Sequence, residues 1–173
     1  MVTLVRPYKK AEANCTSFPS FDSVYDLGKK VDDIKVLVAH YTAFERSIVS
    51  AASSFLMNSS HPVKIRRLEQ TKTALSDNRK LEAQYKLDAV LLKKIPSEVQ
   101  ELSLLETLDI LRLIARECLW AELHAGEKIV EFGWDSYVYF AGGQLRQIYL
   151  DEFTRIGRVV EKVKHRRSGS AIS

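Results

Sequence analysis

A chain of 173 residues, 46% hydrophobic, is long and apolar enough for one packed domain, which excludes wholesale disorder. Seven glycines and four prolines are few for an all-β protein with its many turns. The net charge of +4 is mild, with its excess in residues 51–100 and in the end RVVEKVKHRR, and a dedicated nucleic-acid binder usually carries a denser patch. No apolar run reaches the ~18 residues of a membrane helix, and MVTLVRPYKKAEANC has no apolar core of signal-peptide length. A cytoplasmic protein with no membrane association is therefore expected. Cys15 and Cys118 form neither a disulfide framework nor a metal motif, and two free thiols are expected.

Residues 1–21 read as an N-terminal extension, because Pro7, Pro19 and CTSFPS break any period. Residues 22–164 read as a single domain. Its first element is a long helix from about Asp22 to Met57, capped by Asp22 or Ser23, with apolar residues from Val24 to Phe55 at steps of three and four. NSSHP ends it. A second long helix is expected from Pro62 to about Lys94, where Ile65, Leu68, Leu75, Leu81, Tyr85 and Leu92 form a thin stripe on a basic surface. The pair would make a helical hairpin, and the thin stripe leaves a homodimer open. A central helix is expected over Val99–Leu123, with Ser97 and Gln100 as a capping box and apolar residues nearly all round.

Five aromatics then crowd Phe132–Phe140. Strands over 128–134 and 137–141, joined by Asp135-Ser136, would pair Trp134 with Tyr137 and Phe132 with Tyr139. Asp-Ser is a weak turn, and a register slip of one residue would exchange the two faces. Gly142-Gly143 ends the hairpin, a helix over Leu145–Gly157 follows, and RVVEKVK reads as a short strand. Residues 165–173 read as a flexible basic tail. The predicted fold is mainly α: three long helices with a small C-terminal β-hairpin, helix and strand.

Chemical motifs are sparse. H-E-x-x-H, C-x-x-C, G-x-S-x-G, the phosphate loop and the dinucleotide fingerprint do not occur, so no metal, cofactor or catalytic set is expected. Arg116 and Glu117 interrupt an apolar helix. Arg116 would pair with a carboxylate, and Glu117 with Glu131 or Asp135 is the nearest thing to a catalytic carboxylate pair. Arg116 and His124 resemble the Arg-then-His pair of helical HEPN ribonucleases, but seven residues intervene where that pattern has four to six.

RECLWAELHAGEKIVEFGWDSYVYFAGG resembles a recurring piece of small bacterial proteins of unassigned role: a helix with Arg-Glu and Trp, then a hairpin with Phe-Gly-aromatic-Asp-x-Tyr-x-Tyr. Here Arg116, Glu117 and Trp120 precede Phe132, Gly133, Trp134, Asp135, Tyr137 and Tyr139. The resemblance implies an immunity or inhibitor protein of a toxin system. The function expected is thus a non-catalytic module that binds a protein partner through Phe132, Trp134, Asp135, Tyr137 and Tyr139, residue types that anchor interfaces. The alternative is nucleic-acid binding through Lys64, Arg66, Arg67, Lys162, Lys164, Arg166 and Arg167. A hydrolase or nuclease without a recognised motif is the third reading.

Overall fold

The computed structural model describes residues 1–8, 18–133 and 136–164. In chain order the elements are β1 (Val2–Pro7), a 3-10 turn (Val24–Asp26), β2 (Lys30–Val31), β3 (Ile34–Lys35), α1 (Val38–Met57), β4 (Val63–Gln70), α2 (Ala74–Tyr85), β5 (Glu101–Leu102), α3 (Leu104–Ala115), β6 (Leu119–Ala125), β7 (Lys128–Phe132), β8 (Val138–Ala141), α4 (Gln147–Arg155) and β9 (Arg158–Val163). Seven strands form one sheet in the order β5-β4-β6-β7-β8-β1-β9, and every neighbouring pair in it is antiparallel. The fold is therefore mixed α/β with a large sheet, and the expectation of a mainly α, helical protein is overturned.

Each predicted long helix conceals a strand or a turn. Only the second half of 22–57 is helical. Before it, Asp32 and Asp33 take φ of 49° and 66°, the two positive angles of a type I′ turn, and so join β2 to β3. In the predicted second helix, Val63 and Ile65 are buried while Lys64 and Arg66 face outward. That alternation of two makes VKIR a strand, and only 74–85 is helical. The apolar stripe that left a homodimer open is therefore divided, with Ile65 and Leu68 on β4 and Leu75, Leu81 and Tyr85 on α2. In the predicted third helix, Ser103 and Glu106 form the capping box that starts α3, whereas Gln100 bonds back to Ser97 in a local turn. The helix stops at Arg116, and Leu119, Ala121, Leu123 and Ala125 alternate with Trp120, Glu122 and His124 along β6.

Residues 2–7, assigned to an extension, form β1, hydrogen-bonded between β8 and β9. Its Val2, Leu4 and Val5 are buried. The predicted C-terminal helix and short strand are present as α4 and β9. Cys15 and the 165–173 tail lie outside the described residues.

The register defines two faces. Ile65, Leu123, Val130, Phe140 and Thr3 stand side by side across five strands, and all are buried. Phe140 meets Phe55 of α1 edge-on at 5.5 Å and Phe153 of α4 at 6.4 Å, so the helices cover this face. The adjacent row, Arg66, Glu122, Glu131, Tyr139, Leu4 and Glu161, points the other way. An antiparallel sheet with helices on one side and a polar row on the other is a stable two-layer arrangement.

Candidate functional site: a cavity beneath the hairpin loop

The β7–β8 hairpin closes later than a two-residue turn would. Gly133 N donates to Tyr137 O at 2.8 Å, and Phe132 stands opposite Val138 with Glu131 opposite Tyr139. The loop therefore spans 133–137, and the register is one residue away from the expected pairing. Asp-Ser supplies no glycine for a tight I′ turn, and among the described residues of the longer loop Ser136 takes a positive φ, at 57°.

That single step separates the expected partner-binding residues. Phe132 turns inward and is buried with Val130 and Phe140. Tyr139 turns outward and is half-buried, as is Tyr137. Both tyrosines lie over Gly133, where an added Cβ would sit 3.2 Å from the Tyr139 ring and 3.4 Å from the Tyr137 Cβ. Trp120 of β6 is tied to the hairpin's backbone, its Nε1 donating to Phe132 O. Its alternation with Glu122 and His124 was the sequence signal for this placement. Trp134 and Asp135 lie outside the described residues.

Beneath this loop is a cavity of about 460 Å³. Its floor is apolar and buried: Phe44, Ile114, Ala115, Cys118, Leu119 and Phe132. Its rim is polar and exposed: Tyr25, Glu69, Gln70, Thr71 and Glu117. The volume suits one small organic molecule or one large inserted side chain. No Lys, Arg or His is among the lining residues.

Glu117 reaches the rim through an unusual helix end. Glu117 N bonds to Ile114 O and Cys118 N to Leu113 O, the two bonds of a Schellman motif. The residue that must take the left-handed conformation there is ordinarily glycine, but here it is Glu117 at φ 57°. Its Oε1 accepts from Val24 N at 3.2 Å, which ties the 3-10 turn to the end of α3. Next to it the Cys118 thiol is pushed up to about 12, chiefly by burial, with Asp77 and Glu117 adding to the effect and Arg116 opposing it. A thiol so held is protonated at neutral pH and is a poor nucleophile.

Arg116 is turned away from the cavity and fully buried. Its Nε and Nη2 grip Glu45 at 2.7 and 2.8 Å. Nη1 donates to Asn78 and Glu82 at 2.9 and 3.2 Å, and Nη2 also reaches Asp88 O at 2.8 Å. Burial alone would push this guanidinium down; hydrogen bonds and charge from Glu45 outweigh it and hold it above its ordinary range. Arg116 thus clamps α1, α2 and the following loop to the end of α3. His124 stands on the sheet's outer row beside Glu122 at 3.1 Å, so the two do not form a ribonuclease pair. Glu131 shares that outer row and is not among the cavity's lining residues.

The basic residues are dispersed. Lys64 pairs with Glu101 at 3.2 Å and Arg67 with Glu122 at 2.9 Å, while Arg66 is exposed. Lys162 donates to Thr3 Oγ1 at 2.6 Å, and Lys164 is exposed. β4 and β9 are separated by β6, β7, β8 and β1, roughly 24 Å at the usual strand spacing. Arg166 and Arg167 lie outside the described residues. Among the described residues no group of three or more His, Cys, Asp or Glu is placed to hold a metal ion, and no helix is long and apolar enough to cross a membrane. Comparison with protein-family models, with curated proteins and with solved structures finds no significant match.

Proposed function

We propose that the protein is a non-catalytic binding protein and that its site is the cavity beneath the β7–β8 loop. The observation that carries this reading is the cavity's build: about 460 Å³ with a buried apolar floor and an exposed polar rim. Apolar walls supply affinity and a few rim groups supply orientation, which is how small-molecule sites divide the work. The groups that suggested chemistry support it too. Arg116 is engaged in the clamp, and the Cys118 thiol is held neutral. The test is to analyse small molecules that co-purify with the native protein, beside Thr71→Trp, which places an indole at the rim. Ligand recovered from wild type and lost from Thr71→Trp, with melting unchanged, supports the reading. Equal recovery from both would remove the cavity as the site.

A second reading, a protein partner of the immunity or inhibitor kind, is favoured by the half-buried Tyr137 and Tyr139, which both lie close to Gly133. Tyrosine is among the residue types that interface hot spots use. On this reading Tyr137→Ala weakens capture of a stoichiometric protein by at least about tenfold, or ~1.4 kcal/mol, while the fold persists. Capture that is indifferent to Tyr137 and Tyr139 would count against it.

A further inference from the structure

Resting on the reading that the cavity is the binding site, we infer that it selects an organic cation, an ammonium or guanidinium carried on an apolar body. Two kinds of wall point to this chemistry. Tyr25, Phe44, Trp120 and Phe132 line the cavity, and aromatic faces attract a cation through their ring quadrupoles. Glu69 and Glu117 supply negative charge at the rim. Among the described residues neither has a cationic partner and no basic side chain lines the cavity. In a chain of net charge +4, this is a local reversal of sign.

The surroundings reinforce the sign. The Tyr25 hydroxyl is pushed up by burial, then by Cys118, Glu117 and Asp77. Burial, the leading cause, opposes a charge of either sign; the shares from Glu117 and Asp77 are the ones that disfavour an anionic ligand and favour a cationic one. Position matters as well as charge. The bond from Val24 N fixes one oxygen of Glu117, so its carboxylate is set at the rim before any ligand arrives. Glutamate occupies a left-handed position where glycine would be relaxed. An ionic rim over an aromatic floor orients an amphiphilic cation with its charge toward Glu69 and Glu117.

The experiment uses the full chain with Trp134→Phe, which leaves Trp120 as the only indole. Benzyltrimethylammonium, its neutral isostere neopentylbenzene and benzylsulfonate are titrated by Trp120 fluorescence. The cation is expected to bind about tenfold or more tighter than the neutral isostere, with the anion weakest. Glu69→Gln with Glu117→Gln should remove that preference and leave the neutral isostere unchanged. Glutamine still offers an oxygen to Val24 N, and unchanged melting verifies the fold. Equal binding of cation and isostere, or a preference that survives both glutamines, would overturn the inference while the cavity remains a binding site. If none of the three probes binds, both the inference and the reading beneath it fall.

Discussion

Among the described residues Arg6, Arg116 and Arg158 are buried, and the surroundings of the last two assign them opposite energetic roles. Arg116 has all its donors engaged, two of them on Glu45. Arg116→Met would strand Glu45 in the core, and breaking such a pair costs about 3–5 kcal/mol. Urea unfolding would show it as a lowered midpoint. Arg158 is also buried but forms no ion pair among the described residues; Nη1 donates to Phe21 O at 2.9 Å, and Nε and Nη2 have no hydrogen-bond partner there. It is held between the rings of Phe21 and Phe44, at 4.6 and 4.1 Å from their centroids. Burial pushes its guanidinium down. Arg158→Met is therefore expected to leave stability unchanged or raise it by about 1–4 kcal/mol. A loss larger than that of Arg116→Met would mean that the ring contacts outweigh the desolvation.

At the scale of elements, β1 decides the topology. It is hydrogen-bonded on both sides, to β8 and β9, and its removal would open the sheet between them. Deleting residues 1–7 is expected to abolish cooperative unfolding, as read by circular dichroism during a thermal melt. A variant that still melts sharply would show that β8 and β9 pair without it. The end of β8 is as constrained. Gly142 has φ 78°, and a Cβ there would lie 1.8 Å from Glu127 O. Gly142→Ala is therefore expected to destabilise by several kcal/mol, about 2–4, whereas Gly28→Ala, with φ 84° and open space, carries only the strain of its backbone angle. VRP, VKIR and LWAELHA show how much was legible. Alternation of two was present in β4 and β6, but leucines before and after also satisfied a helical period. Short apolar runs fit both patterns.

The whole molecule responds to alkali through its buried acids. The Cys118 thiol rises from its ordinary 9.0 to about 12, chiefly by burial, and the Tyr41 phenol rises well above 10.0 for the same leading reason, with Glu45 adding to it. A raised folded-state pKa contributes stability that is fully present below the unfolded value and is lost as pH climbs through the folded one. Stability should fall from about pH 9 toward pH 12, and Cys118→Ala should flatten that fall. The difference between the two proteins isolates the thiol from Arg158, whose depressed guanidinium acts in the opposite direction. Identical pH profiles would mean that Cys118 is not buried in solution. On the same scale, the basic residues spread over β4 and β9 predict only weak, salt-labile association with nucleic acid.

What the sequence determined by itself is local. Gly142, the α4 stripe and the valines of RVVEKVK each act within a few residues, so α4 and β9 could be read directly and the hairpin was found one residue out of register; Ser103 with Glu106 is as local a signal, but Ser97 with Gln100 offered the same spacing six residues earlier. Arg116's need for a carboxylate was also visible, since a charge inside an apolar run must be paired. Tertiary structure decided the rest. Whether LWAELHA continues a helix or starts a strand depends on β4 and β7 offering backbone partners from about 55 residues before and 9 after at Glu122. Whether Val2–Pro7 is an extension depends on β8 and β9, which arrive more than 130 residues later. The cavity has no local signature at all. It forms because the end of α3, the first residues of β6, the last of β4 and one hairpin loop meet around Trp120 and Glu117. Backbone hydrogen bonds across a sheet are satisfied between distant segments, and no window of sequence contains both halves of such a bond.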